Sequence, residues 1–215
     1  VNPITLTFDN GPTKDVTPYV LDVLARYDIR STFFVLGRNL MDAPSRALMQ
    51  RAADEGHWIG NHTYMHDVPL GLSTDPDAPE REIGRTQALI GDAAHPDRFF
   101  RPFGGGGELG PLLLNPLAVD YLRRHRYSCV LWNSIPRDWD DPDGWVATAL
   151  RQCAQEDWAL TVLHDIASGA MRRLETFIQK ALDAGHTFRQ EFPRACVPML
   201  RGTPVRSMRA LISPS

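Results

Sequence analysis

The chain has 215 residues, a formal net charge of −3, and 43% hydrophobic against 23% charged residues. That length suits one domain able to bury its own core. The mild acidity excludes a nucleic-acid binder, which needs a clearly basic surface, and no run approaches the roughly 18 apolar residues of a membrane span. Val1-Asn2-Pro3 enters a strand almost at once, leaving no room for a signal peptide. The expectation is a cytoplasmic protein, or a periplasmic or secreted one whose signal was removed. Cys129, Cys153 and Cys196 cannot all pair and match no zinc-finger spacing, so each is expected as a small buried hydrophobe in a reducing compartment.

In chain order, Ile4 to Phe8 reads as a buried strand. A helix follows with Thr17 as N-cap, Pro18 in its first turn, and Val20, Leu21, Leu24 and Tyr27 at helical spacing. Thr32 to Leu36 is the next apolar run, Ser45 to Glu55 a helix stopped by Gly56, and Trp58 to His62 a third strand. A polar loop from Asp67 to Pro79 precedes a helix from Glu80 to Ile90. Phe99-Phe100-Arg101 is strand-like and runs into glycines 104 to 107. Asn115-Pro116 starts a helix, Ser128 to Trp132 is a strand, and Asp141-Pro142 caps a helix containing Trp145, Val146, Ala149 and Leu150. Trp158 to Leu163 is a strand, and Arg172 to Ala184 a helix closed by Gly185. The proline-rich tail from about residue 193 to 215 takes no assignment. About six strand–helix alternations imply a single α/β domain with a parallel sheet, open and doubly wound or closed as a barrel. Either way, chemistry belongs at the C-terminal ends of the strands.

Reactive residues sit at five such ends. They are Asp9-Asn10, then His62 with His66, then Arg101, Asp138-Trp139, and His164-Asp165. Taken singly, each has a plainer reading. Asp9-Asn10-Gly11-Pro12 is rich in turn formers, a His pair four apart is only sometimes a ligand set, and Arg101 is of a type usually found in a surface ion pair. Their joint occurrence, each at a strand end, carries the weight. Gly105-x-Gly107-x-x-Gly110 fits a dinucleotide fingerprint only formally, since Pro111 follows and no acidic residue stands at the expected distance. Arg123-Arg124-His125-Arg126 reads as a solvated helix end. His57, His95, His125 and His186 need no function.

Five segments together resemble the polysaccharide deacetylases, the NodB-homology or carbohydrate esterase family 4. They are Thr7-Phe8-Asp9-Asn10-Gly11-Pro12, Asn61-His62-Thr63-Tyr64-Met65-His66, Phe100-Arg101-Pro102, Arg137-Asp138-Trp139 and Thr161-Val162-Leu163-His164-Asp165. The resemblance spans most of the chain, with its motifs inside residues 7–165. It implies a distorted (β/α) barrel and a metal-dependent hydrolase that removes acetyl groups from an amino sugar or another acetylated carbohydrate. Two departures stand out. Asn10 replaces a usual Asp ligand, as in one branch of the family, and the third motif runs Arg101-Pro102-Phe103-Gly104 instead of Arg-Pro-Pro-Tyr-Gly.

By that resemblance, Asn10, His62 and His66 hold a divalent metal, zinc first, with cobalt, manganese or nickel as alternatives. Asp9 is the base, kept ionised by Arg101, and His164 the acid, kept cationic by Asp138. An N–H at Phe103 or Gly104 serves the oxyanion, and Trp139 and Leu163 wall the acetyl methyl. Two rival readings are a C–N hydrolase of a small cyclic amide, whose relatives often lose the histidines, and a carbohydrate-binding homologue impaired at Asn10.

Overall fold

The computed structural model describes residues 2–214. Strand β1 (Pro3–Asp9) lies at the centre of a parallel sheet, flanked by β6 (Ala159–His164) and β2 (Thr32–Val35). Beyond β2 come β3 (Trp58–Asn61), β4 (Phe99–Phe100) and β5 (Ser128–Cys129), all parallel. The extended chain after β5 bridges Ser134 to Thr161 of β6, so the sheet curls round on itself into an irregular barrel. Helices α1 (Thr17–Arg26), α2 (Ala43–Asp54), α3 (Arg85–Ile90), α4 (Pro116–Arg124), α5 (Trp145–Gln155) and α6 (Leu174–Asp183) fall between or after these strands. The strand β7 (Thr187–Phe188) adds to β1, and the hairpin of β8 (Met199–Leu200) and β9 (Thr203–Pro204) pairs antiparallel to β5. The hairpin therefore forms a sheet edge, and Ile212 beyond it bridges Leu114 in parallel.

The buried side chains form three clusters, the second built on Phe100, Leu122, Tyr127 and Met199, and side-chain alternation along the strands helps separate them. Ile4, Leu6 and Phe8 of β1 face outward and pack with Leu21 and Leu24 of α1, Leu163 of β6 and Phe177 of α6. Each such buried side chain contributes roughly 1.5–3 kcal/mol. A smaller cluster of Phe34, Phe99, Val130, Leu160 and Cys196 packs separately, off strands β2, β4 and β6 and the segment after β5. All three cysteines are free and buried.

Several boundaries differ from the sequence reading. Thr17 is the first residue of α1 and not its cap, because its hydroxyl accepts the Thr13 N–H at 2.8 Å and donates to Asp165 Oδ2 at 2.6 Å. The cap of α2 is Asp42, whose carboxylate accepts the Ser45 N–H, so the helix starts two residues earlier than Ser45. Asp141 caps a turn, accepting from Gly144, and α5 itself begins at Trp145. Glu80 to Ile90 is not one α-helix: a π-helical turn, Glu80–Gly84, precedes α3. Only Ser128 and Cys129 of the expected fifth strand pair as a ladder, since the chain beyond them leaves β4 to close the barrel.

Candidate active site

The strand ends converge on a cleft of about 350 Å³ lined by Asp9, Asn10, His62, His66, Phe103, Gly104, Trp139 and His164, with Trp132, Ile135, Val162 and Ile166 completing its apolar wall. Register explains the meeting of the first and last groups: Asp9 pairs directly with His164 across β1 and β6.

Arg101 is the keystone below. Its side chain is fully buried, with the guanidinium 4.2 Å from the centre of the Phe34 ring. Nη1 donates to Thr7 Oγ1 at 2.7 Å and to Asp9 Oδ1 at 2.9 Å, while Nη2 and Nε donate to the carbonyls of Leu131 and Val130. A buried cation is tolerated only when so fully paired. Burial alone would push the Asp9 carboxyl up, but the charge and hydrogen bond of Arg101 foremost, with the charge of His164, outweigh it and hold Asp9 below its usual 3.8. Asp9 is an anion across the neutral range.

On one side stands His164. Asp138, wholly buried, accepts its ring Nδ1–H at 2.8 Å and its backbone N–H at 2.9 Å. Burial would lower the imidazole, but the hydrogen bond and charge of Asp138 override it and raise His164 above 6.5. Trp139 meets the ring edge-on at 4.9 Å.

On the other side are His62 and His66, ring centres 5.0 Å apart. His62 Nδ1 lies 2.7 Å from the Arg101 carbonyl, which only accepts, so Nδ1 carries the proton and the Nε2 lone pair faces Asp9 Oδ2 at 3.5 Å. Burial lowers both rings, His62 below its usual 6.5 and His66 down to about 3. Asn10 Oδ1 is buried without any hydrogen-bond partner. Asn10 and His66 both adopt left-handed backbone, at φ 77 and 55, a strain of about 1–3 kcal/mol each of the kind that clusters at working sites, with Asn tolerating it best.

A lone pair facing a carboxylate oxygen, with an orphaned amide oxygen on the same lining, is a donor set suited to a divalent cation. Among the described residues no group of three or more His, Cys, Asp or Glu side chains is placed to hold a metal.

Phe103 stacks on His66, ring centres 3.9 Å apart. Gly104 to Gly107 all have positive φ, a conformation glycine adopts without steric cost. Trp132 Nε1 and Arg137 Nη1 pin this rim by donating to the carbonyls of Gly107 and Gly106. Among the described residues, neither the Phe103 nor the Gly104 N–H donates to another protein group.

Leu163 needs correcting. It belongs to the outer core against the helices, while Val162, one residue earlier and on the same face of β6 as Leu160, lines the cleft. The period of two along the strand carried this information, and the motif obscured it. Trp132, Ile135 and Ile166 were missed because nothing local marks them.

A family model described as polysaccharide deacetylase matches residues 1–127. The chain belongs to this family. The Arg137-Asp138-Trp139 and Leu163-His164-Asp165 segments lie beyond that match, and the geometry above places Asp138 and His164 against the first motif. A peptidoglycan-N-acetylglucosamine deacetylase of Listeria monocytogenes is 29% identical over 187 residues, 86% of this chain and 37% of the relative. The chain thus spans well under half the length of that protein. A chitooligosaccharide deacetylase of Rhizobium leguminosarum bv. trifolii is 37% identical over 164 residues, 75% of this chain and 71% of the relative. Among solved structures, a family 4 acetyl xylan esterase from Clostridium thermocellum, in complex with a cobalt ion, superposes with a TM-score of 0.70 at 26% identity, covering 88% of each chain. A family 4 carbohydrate esterase from Streptomyces lividans, in complex with acetate, gives 0.73 at 24% identity over 91% of this chain and 96% of the other. The fold is the distorted (β/α) barrel of these esterases.

Proposed function

We propose that this chain is a metal-dependent deacetylase that hydrolyses the acetyl group of an N-acetylated amino sugar or a related acetylated carbohydrate. The observation that carries the proposal is that one cleft holds, side by side at the ends of paired strands, a carboxylate lowered below its usual pKa and an imidazole raised above its own. Acyl transfer to water needs such a pair, because water is a poor nucleophile and an amine or alkoxide a poor leaving group. The names of the relatives support the substrate class, since acetylated sugars recur in them.

His62, His66 and Asn10 would hold a divalent cation, zinc first and cobalt, manganese or nickel in reserve, with neutral imidazoles ready to ligate. When bound, the cation supplies Lewis acidity toward a carbonyl and a water. Asp9 takes the proton of the attacking water, with Arg101 fixing its other oxygen. The N–H groups of Phe103 and Gly104 are free to donate to the developing oxyanion. His164 donates its Nε2 proton to the leaving group, and Asp138 keeps the ring oriented and charged. Trp139, Val162 and Ile166 form an apolar wall suited to an acetyl methyl, and exclude water from that side.

The test is acetate release from chitooligosaccharides, peptidoglycan and acetyl-xylan, with several divalent metals. Asp9→Asn and His164→Ala should each lose roughly two to four orders of magnitude in turnover while keeping the parent circular-dichroism spectrum. Near-parent turnover in either variant removes that residue from the mechanism, and no acetate from any substrate with any metal removes the function.

A further inference from the structure

The sequence reading takes residues 80–90 as a helix. The structure gives the start of that segment another task. Glu82, in the π-helical turn, is 8% exposed, and its Oε2 accepts two backbone N–H groups, from Tyr64 at 3.1 Å and Met65 at 2.9 Å. Those peptides join His62 to His66. We propose that Glu82 is a positioning residue that holds the His62–His66 turn in ligating geometry through its backbone. The inference rests on the reading above, that the two histidines bind a metal.

The turn needs holding. Bringing both imidazoles to one point outside a helix forces Thr63 and His66 into left-handed backbone, at φ 73 and 55, and neither is glycine. The chain keeps this shape because its peptides are tied from two sides. On one side, the carbonyls of Thr63 and Tyr64 accept from the N–H groups of Gly37 and Arg38 at 3.0 and 3.1 Å. On the other, the N–H of Thr63 donates to Asn61 Oδ1, and Asn61 Nδ2 donates to the carbonyl of Ile83 at 2.9 Å. The turn is thus tied to residues 82 and 83 twice, once through Asn61 and once directly. Without Glu82, two neighbouring N–H groups of the turn lose their acceptor.

Filling space does not account for this side chain. A buried carboxylate costs free energy unless its charge is matched, and among the described residues no cation lies in salt-bridge range of Glu82. An apolar residue of equal volume would pack there at lower cost. What it would lack is an acceptor for two convergent N–H groups. π-turns are frequent at functional sites, and residues that orient ligands from behind commonly matter about 10–100-fold for metal affinity.

The experiment compares the parent, His62→Ala, Glu82→Met and Glu82→Gln. Zinc affinity is measured by chelator competition, the visible spectrum is taken after cobalt loading, and the melting temperature is taken metal-free. Glu82→Met should weaken zinc about 10–100-fold and change the cobalt bands, with metal-free melting lowered because two N–H groups lose their acceptor. Glu82→Gln, which keeps one carbonyl acceptor, should weaken zinc less than Glu82→Met but by more than about threefold. If Glu82→Met does not fold, Glu82→Gln decides by the same two readouts. Parent-like affinity and cobalt spectrum in the folded Glu82 variants, while His62→Ala loses metal, overturn this inference alone. A parent that takes up no metal, or a His62→Ala variant that binds like the parent, overturns the ligand reading and this inference with it.

Discussion

Asp9 and His164 are partners in register, yet their surroundings drive them in opposite directions. Arg101 foremost, with the charge of His164, keeps Asp9 below 3.8, and Asp138 keeps His164 above 6.5. In the proposed mechanism the Asp9 base is therefore ready at any pH above the acid range, and the alkaline limb of kcat/KM would report loss of the His164 proton. Asp138→Asn leaves an oxygen to accept the Nδ1–H but removes the charge, so His164 should lose its proton earlier. The expected result is an alkaline limb displaced toward lower pH with the acid limb unmoved; a limb at the parent's position means another group sets it. Asn10 is the second residue to probe. Its buried Oδ1 has no partner within the protein, and Asp tolerates its left-handed backbone as Asn does. Asn10→Asp adds a negative charge to an otherwise neutral donor set, so the metal should be held more tightly, seen as slower loss to a chelator. Unchanged chelator sensitivity means that Asn10 is no ligand, and the set shrinks to His62 and His66.

At the scale of elements, the strand–helix alternation and four of the reactive strand ends, at Asp9, His62, Arg101 and His164, were legible because each depends on a local pattern, whereas Asp138 lies in a turn well beyond β5. Hydrophobic runs mark β1, β2 and β6, and the parallel sheet then carries their ends to one side. Failures came where a distant partner overrode a local preference. Thr17 looks like a cap, but Asp165, far along the chain, takes its hydroxyl. Glu82 looks like one more charged helix residue, and its meaning depends on a turn 17 residues earlier in the chain. β4 and β5 are only two residues each, too short for any periodicity to define. Leu163 was misplaced for a different reason: the motif drew attention to the residue beside His164, whereas strand alternation sends that neighbour to the opposite face and leaves Val162 in the cleft.

Across the molecule as a whole, the pairing of β1 with β6, the longest register in the sheet, joins the first strand–helix unit to the last. Asp165 is the bolt at the end of that seam. Its carboxyl is buried against Gly11, where any Cβ would overlap it, and its Oδ2 accepts from Thr17 at the start of α1. Oδ1 has no partner. Burial pushes the group up to about 7, against the opposing hydrogen bond from Thr17. A folded-state value above the unfolded one means that the native state holds the proton more tightly. The stabilisation is therefore complete below about pH 4 and is lost as pH rises toward about 7, with a ceiling of about 4 kcal/mol for a shift of about three units. The buried histidines act with the opposite sign. His57, lowered to about 4, and His66, lowered to about 3, both mainly by burial, support the fold above about pH 6.5 and cost stability as acid forces protons onto them. Their contribution is shared by any variant at residue 165, so a substitution there isolates the carboxyl. Asp165→Asn still offers Thr17 an oxygen acceptor and carries no charge at any pH. Urea unfolding of the metal-free parent and variant at pH 5 and pH 8 should show the variant gaining on the parent by about 1–3 kcal/mol between the two. An equal difference at both pH values would mean that the bolt does not titrate in this range, and that the seam is held by packing and the Thr17 hydrogen bond alone.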